Sequence, residues 1–283
     1  MKTNCFLVSR RLAAAVVALM FGASAAQAAV TVVNAPNAFG DFAGITYGNG
    51  GEVFELQPYV FINGLGGGDA AKTVVQRNSN LDFTFSHRNL GPGLLEVEYR
   101  IANNSLVESF DQIRFMVFAN PDGDTALFAD RIGESWGGSV AGEAARRETM
   151  ALPTLDNIIS GFRLNNNLTD GSPPAGCAGG GGCDAIVAMQ WNLASLKPQE
   201  AFVLRIGLSD DGKALSSRYF TATALNSPAT ELTFSGAYTV AVVPEPGTTA
   251  LWGAGLLATA GVVRRRAQRT RMPGFAPANG SST

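Results

Sequence analysis

Apolar and polar residues alternate through most of the middle of this chain, most cleanly in Leu95-Glu96-Val97-Glu98-Tyr99-Arg100-Ile101. Successive side chains of a β-strand point to opposite faces, so Leu95, Val97, Tyr99 and Ile101 turn to a core while Glu96, Glu98 and Arg100 turn to water. The same reading predicts further strands at 30–33, 52–56, 59–62, 81–85, 112–118, 185–191, 201–208, 218–224 and 231–240. Turn-forming stretches punctuate them at 63–69, 89–93, 120–124 and 209–212, where Gly and Asn supply positive φ and Pro fixes it. Residues 141–151, AGEAARRETMA, form the one run of good helix formers and read as a short helix or an excursion between sheets. A parallel α/β architecture needs a helix after most strands, and the pattern offers none. The expected fold is therefore all-β: an antiparallel β-sandwich, jelly-roll or immunoglobulin-like.

Two greasy segments interrupt this pattern at the ends. Residues 1–28 carry Lys2, Arg10 and Arg11, then the apolar run LAAAVVALMFGASAA, then Ala26-Gln27-Ala28. This order of positive region, short apolar centre and small-residue site reads as a cleaved signal peptide, with a retained membrane helix as the competing reading. At the other end Pro244 and Pro246 bracket Glu245, and prolines interrupt any helix or ladder. Residues 248–263 then contain no charge, and Arg264, Arg265 and Arg266 follow at once. As a helix that segment is roughly 24 Å long, short of a ~30 Å hydrocarbon core but able to span it if the bilayer thins and the arginines snorkel.

The sequence Val243-Pro244-Glu245-Pro246, one apolar helix and an arginine cluster, in that order, resembles the PEP-CTERM sorting signal of Gram-negative bacterial surface proteins. The resemblance covers the C-terminal signal alone. It implies a membrane-embedded exosortase as processing partner, cutting near 243–247, and release or transfer to the cell surface from a membrane-anchored intermediate. It also implies association with exopolysaccharide. Two features depart from the usual signal: a tail, 267–283, follows the arginines, and the apolar segment is rich in Gly and Ala. An anchor that is never cut is the competing reading.

The expected organisation is thus a signal peptide at 1–28, an ectodomain at 29–242, a sorting signal at 243–266 with its transmembrane helix at 248–263, and a disordered tail at 267–283. Charge changes character under this division. Of the 21 basic residues eight lie in the end segments, against one of the 23 acidic ones, so the body keeps 13 and 22 and a formal net charge of −9. Such a body lacks the basic face that phosphate backbones require, which argues against nucleic acid and anionic lipid as partners. The body also keeps two cysteines, Cys177 and Cys183, in a glycine-rich loop. An oxidising compartment favours a disulfide between them, with free thiols as the alternative.

Candidates for chemistry are few. His87 is the only histidine, so two thiols and one imidazole fall short of a structural zinc site. No G-x-S-x-G accompanies His87, and the reading for it is a surface or turn residue. Asp122, Asp124 and Asp130 suggest an acidic loop but miss the ligand spacing of an EF-hand. Trp136, Trp191, Tyr47 and Tyr59 read as core aromatics first and a sugar-stacking platform second. The expectation is an exported, non-catalytic envelope or matrix protein without cofactor or metal; the rival is a secreted carbohydrate-binding module or polysaccharide hydrolase.

Overall fold

The computed structural model describes residues 31–32, 40–46, 53–91, 93–122, 130–138, 140–151, 163–164, 185–224 and 231–243. Twelve strands and one short helix follow in order: β1 (Thr31–Val32), β2 (Phe42–Thr46), β3 (Val53–Phe61), α1 (Ala71–Val75), β4 (Leu81–Gly91), β5 (Leu94–Asn103), β6 (Phe110–Asp122), β7 (Asp130–Trp136), β8 (Arg146–Ala151), β9 (Ala185–Leu196), β10 (Glu200–Ser209), β11 (Arg218–Ala224) and β12 (Glu231–Val242). The chain divides into two units, Met1–Ala241 and Val242–Thr283, and the strands belong to the first, apart from the last residue of β12. Residues 1–28, Cys177, Cys183, Pro244, Glu245, Pro246, the apolar segment 248–263, Arg264, Arg265, Arg266 and the tail lie outside the described residues. Val243 is described and half-buried. Among the described residues no helix is long and apolar enough to cross a membrane.

The strands build two six-stranded sheets, β1-β2-β3-β6-β9-β8 and β4-β5-β10-β12-β11-β7. Both are antiparallel where their registers are set, for example Phe115↔Trp191 in the first sheet and Tyr99↔Leu204 in the second. The alternation in 95–101 decides which side is buried: Leu95, Val97, Tyr99 and Ile101 enter one core with Val117, Met189 and Trp191 of the other sheet. Aromatic rings carry that core from sheet to sheet. Phe83, Tyr99, Phe115, Phe202 and Tyr238 follow one another at centroid distances of 6.3, 5.6, 5.9 and 4.8 Å. The Trp191 indole is fully buried and donates to the carbonyl of Gly236 on the facing sheet at 3.2 Å. A Cβ at Gly236 would lie 2.7 Å from Ile206 and 2.8 Å from Trp191, so only glycine permits this approach.

One edge of the sandwich is closed by charge and aromatics together. Arg147 of β8 forms an ion pair with Glu134 of β7, both largely buried, and its guanidinium lies 4.5 Å from the centre of the Trp136 ring. Arg218 of β11 lies 4.9 Å from the same ring. Of the two readings of 141–151, a short helix or an excursion between sheets, strand β8 overturns the helix: Arg146–Ala151 pair with Ala185–Gln190 of β9. Helix propensity there is worth tenths of a kcal/mol per residue, less than the ladder, the buried ion pair and the ring contact that reward the extended form. Gly142, at φ +87°, starts this excursion, and a Cβ there would lie 2.4 Å from the Tyr238 carbonyl oxygen.

Two other expectations need adjusting. The strands expected at 52–56 and 59–62 are one strand, β3, which runs through Pro58. β2 ends opposite Leu56, so beyond it Pro58 keeps β6 alone as a ladder neighbour and its missing N–H costs little. Strand β6 runs into the turn expected at 120–124, since Asn120, Pro121 and Asp122 still pair with Glu55, Phe54 and Val53. Helix α1, which the alternation did not announce, buries Ala71, Val74 and Val75 against the end of the core.

Candidate binding faces of the sandwich

Each sheet turns one face to the core and one outward, and the outward faces hold most of the polar side chains. On the second sheet, β4, β5 and β10 place Arg88 opposite Glu96 and Glu98 opposite Arg205. Arg88 Nε donates to Glu96 Oε1 at 2.7 Å, and Arg205 Nε donates to Glu98 Oε2 at 3.0 Å while lying 3.8 Å from Glu96 Oε1. Opposite charges are thus matched across neighbouring strands, which leaves little net field. Glu96 is only 6% exposed although it lies on an outer face, because the arginine stems cover it.

Ser86, His87, Arg88, Glu96 and Glu98 line a depression of about 190 Å³. His87 is exposed and lies in strand β4, not after it. Alternation sends the Ser86 and His87 side chains to opposite faces of that strand, so the two do not form a nucleophile–base pair.

The outward face of the first sheet is built differently. Register aligns Phe61 of β3 with Arg114 of β6, Arg114 with Asn192 of β9, and Gln190 of β9 with Arg146 of β8. Half of the face is apolar: Met116, Phe118, Ile186 and Ala188 pack under Leu164, with Tyr59 against them. Tyr59 meets Phe118 edge to face at 5.4 Å. The other half is cationic and amide-rich. The Arg114 guanidinium lies 4.6 Å above the Phe61 ring, and Arg146 Nη1 donates to the Leu164 carbonyl at 2.9 Å. Fully buried Gln190 accepts from Leu164 N at 2.8 Å and donates through Nε2 to Asn192 Oδ1 at 2.6 Å. Burial, then the charges of Arg163 and Arg114, pulls the Arg146 pKa below that of an ordinary arginine. Arg163 and Asn192 are exposed, and Glu148 lies on the same face, buried, two residues from Arg146.

The aromatics expected to form a core or a platform separate here. Trp191 is core, Trp136 lies between two guanidinium groups at the closed edge, and Tyr59 belongs to the apolar half of the first face. Tyr47 and Asp124 lie outside the described residues, while Asp122 and Asp130 sit at the end of β6 and the start of β7. Among the described residues no group of three or more His, Cys, Asp or Glu is placed to hold a metal. The arginines and amides of the first face stand singly in the sequence, spread over 114–192, and form no motif there. The outward positions of the two predicted strands 112–118 and 185–191, Arg114, Gln190 and then Asn192, carried what signal there was.

Comparison of the chain with protein-family models, with curated proteins and with solved structures finds no significant match.

Proposed function

We propose that this chain is an exported, surface-sorted, non-catalytic protein of a bacterial envelope or exopolysaccharide matrix, with a structural or adhesive role. One observation carries the reading: an export segment and a PEP-CTERM-like segment bracket an acidic body that folds as two antiparallel sheets over a shared core. In this reading residues 1–28 are removed on export, Val243 to Pro246 meet an exosortase-type enzyme, and Arg264 to Arg266 halt the chain in the membrane until processing. Cys177 and Cys183 form a disulfide outside the cytoplasm. The finer architecture is a jelly-roll or immunoglobulin-like module, supported by the repeated crossing between sheets from β3 to β4, β5 to β6 and β9 to β10.

Mass spectrometry of the protein isolated from its host tests this directly. The expected N-terminus is Ala29 and the expected C-terminus falls between 243 and 247; intact ends on surface-located protein would overturn the sorting step. A second reading, a carbohydrate-binding module, draws support from the arginine, amide and aromatic groups on the outer face of the first sheet. A polysaccharide-hydrolase screen separates both from an enzyme, since turnover would refute the non-catalytic assignment.

A further inference from the structure

One end of the sandwich presents an apolar tip that the fold orders but does not cover. Between β5 and β6 the chain turns through residues 104–109, where Leu106 and Val107 are 74% and 89% exposed. Fully buried Asn103 fixes the base of this turn. Its Nδ2 donates to the carbonyls of Glu108 at 2.7 Å and Lys197 at 3.0 Å, and its Oδ1 accepts from Ser105 N at 3.0 Å. Ser105 Oγ accepts from Val107 N at 3.2 Å and from Glu108 N at 2.8 Å. Gln199, in the turn from β9 to β10, donates through Nε2 to the Asn104 carbonyl at 3.0 Å. A turn tied in this way holds its tip in place beforehand, so burying the tip orders little that is not already ordered. Two adjacent branched apolar side chains left in water gain free energy from any apolar surface that takes them up.

The sandwich also releases the chain at this end. Strand β12 runs antiparallel to β10: a Cβ on Gly207 would lie 3.1 Å from Ser235 Oγ, one on Gly236 would lie 2.9 Å from the Arg205 carbonyl oxygen, and Phe202 stacks on Tyr238 at 4.8 Å. Strand β12 therefore heads for the start of β10, where Ala201 pairs with Ala102 near the end of β5. Its core-facing row, Phe234 and Tyr238, continues to Val240, which is exposed. In the sheet order β5-β10-β12 the end of β12 stands two strand spacings, roughly 10 Å, from the strand that leads into the Leu106–Val107 turn. From Ala241 to Thr248, where the uncharged run begins, the chain reaches at most about 25 Å.

We propose that Leu106 and Val107 form a membrane contact: while the chain is anchored through 248–263, this tip enters the interface of a zwitterionic phospholipid bilayer and seats this end of the sandwich on it. The inference rests on the anchor in the proposed function, since a spanning helix and so short a connection keep the tip within reach of the headgroups. Apolar side chains of interfacial segments lie about 5–10 Å into the headgroup and acyl boundary, a depth that a projecting turn reaches without unfolding. The turn and its neighbours carry Glu108, Lys197 and Glu200, which make no basic patch, and the body has a formal net charge of −9. Anionic lipid therefore gains nothing at this end, and neutral phospholipid suits it.

Fluorescence quenching of the full chain in phosphatidylcholine vesicles with brominated acyl chains tests the proposal, each variant also carrying Trp252→Phe. Leu106→Trp is expected to lose several-fold more emission to brominated lipid than Leu90→Trp, an exposed position at the opposite end of the same sheet beside the Gly91↔Leu94 pairing. Adding Val107→Ser to Leu106→Trp is expected to reduce the quenching, because it removes apolar area from the tip. Including phosphatidylglycerol is expected to change it little. No quenching in Leu106→Trp, quenching equal to that in Leu90→Trp, or quenching only with phosphatidylglycerol would overturn the proposal. A blue-shifted Leu106→Trp emission that brominated lipid leaves untouched would overturn it too, with a second copy or another protein as the occupant. The unsubstituted chain reports the anchor separately through Trp252. Quenching of Trp252 without quenching in Leu106→Trp would refute the tip alone, and the reverse would refute the anchor alone.

Discussion

The two outward faces of the sandwich are made from the same strand geometry and opposite electrostatics. On the second sheet, neighbouring strands match Arg88 with Glu96 and Arg205 with Glu98, so charge is compensated within the face. On the first sheet Arg114, Arg146 and Arg163 lie near Gln190 and Asn192, and the carboxylate on that face, Glu148, is buried. A compensated ladder stabilises a fold modestly and has little left to offer a ligand. The first face steadies its guanidinium groups in another way, with the Phe61 ring under Arg114 and the Leu164 carbonyl against Arg146.

The comparison breaks hardest at the strand that holds Arg146 in place. Arg147→Ala strips the buried Glu134 carboxylate of two guanidinium hydrogen bonds and uncovers Trp136; removing one partner of such a pair costs about 3 kcal/mol or more. Urea denaturation is expected to show that loss, together with faster amide exchange along β8. Next comes Gln190→Leu, which leaves the Leu164 amide without its acceptor and costs about 1–3 kcal/mol. The amide of Leu164 should then exchange faster while β4 and β5 are unaffected.

The smaller predictions sharpen the contrast in sign. Glu96→Gln on the compensated face should lower stability by up to about 1 kcal/mol, discounted for the solvent exposure of Arg88 and Arg205. Arg163→Gln on the first face should be neutral or slightly stabilising. Both differences should shrink as salt is raised from 0.05 to about 1 M, where the Debye length falls to about 3 Å; calorimetric melting checks both.

The smallest expected effect is a pH dependence at the closed edge. Burial alone would raise the Glu143 carboxyl, but hydrogen bonds from Ser217 Oγ, Ser217 N and Val140 N, with the Arg218 charge, outweigh it and hold the pKa below its ordinary value of 4.5. A depressed folded pKa means stability that is present in full above the unfolded value and is lost as pH falls through the folded one. Glu143→Gln should therefore lower the melting temperature slightly at pH 7, where that contribution is present in full, and change little well below pH 4.5, which flattens the acid limb of the profile.

The sheets were readable wherever one face is wet. Leu95 to Ile101 announces itself by alternation and is a strand with Leu95, Val97, Tyr99 and Ile101 inward as expected; 231–240 is also the strand expected there, although residues 232–236 are all buried. β8 was hidden because AARRETMA is locally a good helix, and what makes it a strand is distant: β9 for its ladder, Glu134 for its ion pair. Pro58 hid the continuity of β3 in the same way, since its acceptability depends on where β2 ends. The arginine face was illegible for a related reason. Its members come from β6, β8 and the segment at 163, and only the register of three strands brings them side by side. The export and sorting expectations at the two ends rest on charge order and apolar length alone, and Val243 apart those residues lie outside the described ones.

Hydrogen–deuterium exchange of the full chain and of Arg147→Ala tests most directly the claim that the two faces are held by separate sets of contacts. The prediction is faster exchange within 146–151 and 185–190, the strands that Arg147 ties to Glu134, with β4, β5 and β10 unchanged. Faster exchange spread evenly over both sheets, or none along β8, would contradict it.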